Sequence, residues 1–191
     1  MGEPSAAGKP ELRRQFRRQR AALQPVAQGP LLAIASRELP GRLPPGRRLG
    51  IHWPLPGEVD LRSLEEEPGL RGRLALPRVS NGALHYRAWG EATPLSPDDT
   101  GIPAPEQGPN LEPSQLGLLL VPALACDRQG FRLGYGGGWF DRLRSAAHWR
   151  AVPALAVLPQ GCLVEQLPHD SWDVPFDGWL HEGGLHWLRP V

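Results

Sequence analysis

Between Pro10 and Leu23 the apolar residues Leu12, Phe16 and Leu23 fall on one side of a helix, and Arg13, Arg14, Arg17, Arg18 and Arg20 occupy its other faces. Pro10 suits the first turn, where its missing N–H would have had no partner. A second, short helix is predicted over Pro30–Leu39, ending before the Pro/Gly cluster at 40–46. Beyond it the pattern shortens. Leu49–Trp53 and Arg73–Leu76 are apolar runs closed by Pro54 and Pro77, and Ala83–Trp89 alternates apolar and polar residues as an exposed edge strand does. Leu116–Val121 is the most apolar run and the best candidate for a central strand. Ala151–Leu158 reads as a further buried strand, and Gly178–His181 and Leu185–Leu188 as short terminal ones. A glycine-rich turn, Gly134–Gly138, precedes a helical stretch at Trp139–His148. Residues 90–115 are dense in Pro, Asp and Gly and read as a long loop, the kind of segment that often carries function inside a compact domain.

Strands alternating with helices predict an α/β fold: a single three-layer, Rossmann-like domain over residues 9–191 with a mainly parallel central sheet, after a disordered tail at 1–8. A length of 191 residues suits one core rather than two. No apolar run approaches the ~20 residues of a membrane span, and the N-terminus lacks the apolar stretch of a secretory signal. Cys126 and Cys162 have neither disulfide-scaffold nor zinc spacing, which fits a reduced, cytoplasmic protein. A net charge of +1 gives no basic field for nucleic acid. One detail is sharper: of the 21 basic residues only Lys9 is a lysine. A compact charge on a flexible stem is kept there where every other cation is a planar fork.

The strongest chemical signal is VPALACDRQGFRLGYGGGWFDR, Val121–Arg142, at the end of the best buried strand. In open α/β sheets ligands bind beyond the carboxyl ends of strands. Glycines at 134, 136, 137 and 138 expose backbone N–H groups that can converge on an anion, with Arg132 and Arg142 flanking them. The spacing is neither a Walker A loop nor a dinucleotide fingerprint. As a bare glycine cluster it fits a flexible loop as well as a phosphate cradle.

The whole string resembles the signature of the 5-formyltetrahydrofolate cyclo-ligase family. Pro122, Asp127, Gly130, Arg132, Leu133, Gly134, Tyr135, Gly136, Gly138, Asp141 and Arg142 stand in register, and Cys126, Trp139 and Phe140 depart from it. KPELR (Lys9–Arg13) resembles the family's N-terminal motif, which supplies cations to ATP phosphates. HWPLPGEVDL (His52–Leu61) resembles the segment whose glutamate contacts the folate. TGIPAP and NLEPSQLGLLLVP also match, with Ala104 and Gly117 where relatives carry acids. LPHDSWDVPFDGWL (Leu167–Leu180) resembles the C-terminal motif.

The resemblance implies ATP-dependent closure of 5-formyltetrahydrofolate to 5,10-methenyltetrahydrofolate. The formyl oxygen attacks the γ-phosphorus, the N10 amine adds to the activated carbon, and phosphate leaves. Lys9 and Arg142 are then the expected catalytic cations. Lys9, Arg13, Arg132, Gly134, Tyr135, Gly136, Gly137, Gly138, Trp139, Phe140, Asp141 and Arg142 would bind ATP, and Trp53 and Glu58 the folate. Asp141 and Asp177 would hold Mg²⁺ between them, and Asp173 would be an ordinary loop cap. The expected protein is a monomer whose partner is its small-molecule substrate. A non-catalytic folate or nucleotide sensor and a nucleic-acid binder using the Arg-rich helix are the alternatives. Turnover of ATP with the folate separates them.

Overall fold

The computed structural model describes residues 8–189. Most of the tail expected at 1–8 therefore lies outside the described residues. Twelve strands and three α-helices are present among them. The helices are α1 (Lys9–Arg42), α2 (Trp139–Ser145) and α3 (Ala147–Arg150). The main-sheet strands are β1 (Arg48–Gly50), β2 (Leu74–Ser80), β3 (Ala83–Trp89), β6 (Leu116–Pro122), β9 (Ala154–Val157), β11 (Gly178–His181) and β12 (Gly184–Trp187). Small accessory ladders are formed by β4 (Leu95–Pro97) with β5 (Pro103–Pro105), and by β7 (Ala125–Asp127) with β8 (Arg132–Leu133) and β10 (Leu163–Val164).

The main sheet runs β12-β11-β9-β6-β1-β2-β3. The five inner strands are parallel, and β3 and β12 add antiparallel edges. Alternation along β6 builds the layers. Leu118 and Leu120 join Leu31, Ile34 and Leu39 of α1 in one core, while Leu119 and Val121 join Leu143 of α2 and Trp149 of α3 in another. This is the three-layer arrangement with a mainly parallel sheet that the strand runs predict.

The two predicted N-terminal helices are one. α1 continues through Pro25 and Pro30 and encloses Pro40 in its last turn. An interior proline removes a backbone hydrogen bond and crowds the preceding turn, at about 3 kcal/mol in an isolated helix. Here Phe16, Ala27, Leu31, Ile34, Ala35 and Leu39 bury a continuous stripe that outweighs the loss. The long loop also holds more order than its composition predicts: it contains the β4–β5 hairpin and a 3₁₀ turn at Pro113–Gln115.

Gly50 and Gly117 mark close approaches in the centre of the sheet. A Cβ on Gly50 would lie 2.7 Å from Leu119 and 2.8 Å from Tyr86, and one on Gly117 2.8 Å from Leu43 and 2.9 Å from Pro44.

Candidate active site

At the carboxyl ends of β1, β2 and β6 lies a cavity of about 640 Å³. Four stretches converge on it: the start of α1, the segment after β1, the glycine-rich turn between β8 and α2, and the loop before β11. The hairpin loop adds Asp98, Thr100 and Ile102, so the long loop does contribute to the site. Ala104 lies buried in β5 outside the cavity lining, and Gly117 lies near the opposite end of β6. Neither lost acid therefore faces the cavity.

The glycine-rich turn forms one wall. Gly136 (φ 105°) and Gly138 (φ 64°) adopt left-handed backbone that a side chain would strain. At Gly137 a Cβ would lie 2.8 Å from the Trp139 indole, which folds back over the turn. Arg13 fastens the turn to α1 through a 3.0 Å hydrogen bond from its Nε to the Gly134 carbonyl. The guanidinium of Arg142 lies 4.4 Å above the Trp139 ring. Arg132 is buried beneath the turn, donating to the Pro122 carbonyl at 3.1 Å and lying 3.6 Å from Asp141. Burial pulls its pKa down, against the opposing pull of Asp141. Every residue from Gly134 to Arg142 lines the cavity, Phe140 and Asp141 included.

Lys9 opens α1 at the cavity rim. Its ammonium donates to Asp170 at 2.6 Å and to Asp173 at 2.9 Å. Burial alone would lower its pKa, but the hydrogen bonds and charges of the two aspartates outweigh this and hold it above the ordinary lysine value. Asp173 also accepts the Asp170 backbone N–H, so it caps its loop, as expected, and faces the cavity as well. Arg14, Arg17 and Arg18 are exposed.

At the other end Glu58 is buried. Its Oε2 accepts the Leu55 N–H at 2.8 Å, and its Oε1 lies 3.3 Å from Nη1 of Arg20. Trp53 lines the cavity nearby with Arg62 stacked 4.3 Å from its ring centroid. His52 is fully buried beside them, 3.8 Å from Glu58, and burial lowers its pKa.

Asp177 is the exception. It is absent from the cavity lining: its Oδ2 accepts the Ala154 N–H at 2.8 Å and lies 3.3 Å from Arg144. Asp177 stands at the amino end of β11 and Ala154 begins the parallel β9, so the carboxylate sits at the end of the sheet away from the cavity. The expected pairing with Asp141 is thus not formed, and the C-terminal carboxylates that reach the cavity are Asp170 and Asp173. The sequence reading also missed Arg20 and His52. Arg20 falls four residues after Phe16, on the buried stripe of α1, and that spacing was the signal for it.

Fold and site together define a three-layer α/β protein with an arginine-rich, glycine-lined cavity at the carboxyl ends of its parallel strands. The chain belongs to the 5-formyltetrahydrofolate cyclo-ligase family, whose model matches residues 54–182. It is 28% identical over 163 residues to the 5-formyltetrahydrofolate cyclo-ligase of Haemophilus influenzae, covering 82% of this chain and 83% of that one. It is 34% identical over 140 residues to the enzyme of the same name from Mycolicibacterium smegmatis, covering 68% and 70%. The solved structure of Aquifex aeolicus 5,10-methenyltetrahydrofolate synthetase superposes with a TM-score of 0.73 at 28% identity, over 96% of this chain and 94% of that one. The Mycoplasma pneumoniae synthetase shares the fold, with a TM-score of 0.67 at 20% identity, covering 91% and 98%.

Proposed function

We propose that this chain is an ATP-dependent ligase that closes 5-formyltetrahydrofolate to 5,10-methenyltetrahydrofolate, releasing ADP and phosphate. One observation supports this reading beyond family membership. The cavity has two chemically distinct ends, a cationic one at the glycine turn and one built around the buried carboxylate of Glu58.

At the first end Lys9, Arg13, Arg132 and Arg142 surround exposed backbone N–H groups, an arrangement suited to a triphosphate. At the second, Glu58 offers acceptor oxygens to the N–H edge of a reduced pterin, with Trp53 as an apolar wall. In this reading the formyl oxygen meets the terminal phosphate between the two ends, and the cations offset charge that develops on the transferring group. Lys9 is suited to that task because it brings a compact ammonium on a flexible stem to the cavity rim.

The donor set fits Mg²⁺. No group of three or more His, Cys, Asp or Glu side chains suited to a metal is present among the described residues, but this ion is commonly held by one or two carboxylates with phosphate oxygens and water. Asp141 and Asp173 are the carboxylates we assign to it, in place of the pair Asp141 and Asp177. When bound, the ion supplies positive charge to the phosphates. No described helix is long and apolar enough to cross a membrane. A cytoplasmic monomer is our reading from the family resemblance.

The test is direct. Purified protein with Mg·ATP and 5-formyltetrahydrofolate is followed by absorbance for the methenyl product and by ADP release. Stoichiometric formation of both supports the reading, and binding without turnover favours the sensor alternative.

A further inference from the structure

Arg20 stands out because α1 buries it almost completely, 2% exposed, under the pterin end of the cavity. Its Nη1 lies 3.3 Å from Glu58 Oε1 and 3.3 Å from the Ala123 carbonyl, and its Nη2 bonds the Tyr135 hydroxyl. The guanidinium therefore touches three elements at once: the segment after β1, the end of β6 and the glycine-rich turn. Its carbon also sits 5.1 Å from the Tyr135 ring centroid. Glu58 is equally buried, its side chain 2% exposed.

A buried ion pair is an inefficient way to hold a fold together. Desolvating two charges consumes most of their attraction, and apolar residues of similar size often serve as well or better. The pair lies at the floor of a cavity whose ligand would present N–H groups. A carboxylate there must keep a fixed angle to meet them. Arg20 occupies one side of Oε1 and the Leu55 N–H one side of Oε2, so each oxygen keeps lone-pair capacity for a ligand. Two other titratable groups stand against Glu58: Tyr135, whose pKa burial raises so that its hydroxyl stays neutral, and His52, whose ring nitrogens have no hydrogen-bond partner and whose pKa burial lowers, so neither replaces the guanidinium.

We infer that Arg20 is a positioning residue for pterin recognition: it holds the Glu58 carboxylate oriented toward the ligand, and through Tyr135 it fixes that carboxylate relative to the phosphate-binding turn. The inference rests on the folate-ligase reading above. It assigns Arg20 no contact with either substrate.

The experiment compares Arg20→Met, Arg20→Lys, Glu58→Gln and the double variant Arg20→Met/Glu58→Gln with wild type in steady-state turnover. Loss of the charge-assisted bond to Glu58 raises the folate KM in Arg20→Met about 10- to 100-fold. The ATP KM moves less than about 3-fold, and Arg20→Lys recovers part of the folate loss. With the carboxylate gone there is no charge to orient, so adding Arg20→Met to Glu58→Gln leaves the folate KM within about 3-fold. If the single Arg20→Met variant fails to fold, Arg20→Lys against wild type and the double variant against Glu58→Gln carry the test, since the amide oxygen in Glu58→Gln can still accept from the guanidinium. Equal shifts in both KM values, or a folate KM that rises as much in the Glu58→Gln background as in wild type, overturn the inference and leave the ligase reading standing. A wild type that forms no methenyl product overturns both.

Discussion

The ammonium of Lys9 lies 2.9 Å from the carboxylate of Asp173, 164 residues further along the chain. With Asp170 at 2.6 Å it forms a clasp across the cavity rim. The single lysine of the sequence is thus an ordered rim residue with two carboxylate partners.

Replacing Lys9 by alanine removes both a phosphate-directed cation and the clasp. Turnover at saturating Mg·ATP and folate should fall on the order of 10²–10³-fold, the usual cost of one transition-state donor. The clasp is part-buried, so its loss should cost about 1–3 kcal/mol of stability. Lys9→Arg should recover turnover only in part, since a planar fork cannot occupy the point of an ammonium. Wild-type rates in Lys9→Ala, measured beside a melting curve, would remove Lys9 from the machinery.

The aspartates separate by role. Asp141→Asn and Asp173→Asn should each raise the Mg²⁺ concentration needed for half-maximal turnover, because an amide offers no charge to the cation. Asp177→Asn should leave that titration unchanged and lower stability by about 1–3 kcal/mol, since the buried Arg144 loses its ionic partner. Parallel Mg²⁺ titrations and thermal melts of the three variants check this. A shifted titration in Asp177→Asn would restore it as a metal residue.

Gly117→Asp brings back the acid common in the family, at a point with no room for a Cβ. Leu43, Pro44 and Arg47 stand within 2.8–3.0 Å of where it would be. We expect a loss of about 1–3 kcal/mol from overpacking, with both substrate KM values unchanged, because the position lies away from the cavity. Chemical denaturation and steady-state kinetics report the two halves independently.

Acid should weaken the fold through His52. Its burial depresses its pKa below the ordinary 6.5, so as pH falls through 6.5 the unfolded chain takes up a proton that the folded one refuses. Stability therefore falls with decreasing pH in the window just below 6.5. His181, also depressed by burial, adds to the slope. His52→Phe should flatten the pH dependence of Tm between pH 6.5 and the depressed value, whereas an unchanged slope would mean that His52 is not the group involved.

Much of this site was legible in the sequence, and particular residues show where legibility stopped. The glycine turn was visible because positive φ and close backbone approach restrict the residue type, whereas Glu58 was reached only through the resemblance of its segment to the family motif. The length and composition of the long loop marked it as a candidate, and three of its residues line the cavity. Asp173 and Asp177 were harder: both belong to one motif, and which one faces the cavity depends on where the chain turns back to begin β11. Spacing does not encode that. Arg20 looked like one cation among several on a basic helix, although its step from Phe16 placed it on the buried stripe. The prolines at 25 and 30 signalled a break that tertiary packing overrode.

The clasp and the Arg13 bond to Gly134 mean that the first turns of α1 are held mainly by residues from the last third of the chain. Contacts of such separation carry a high closure entropy and contribute only after the sheet between them is in place. The first turns of α1 should therefore be among the earliest parts of the fold to open. A ligand that engages both sides favours the closed form by mass action, by about 2.7 kcal/mol at 100 times its Kd. Substrate should protect the amides around residues 9–13 from hydrogen exchange far more than those of the central strands, which makes the beginning of the chain a built-in reporter of occupancy.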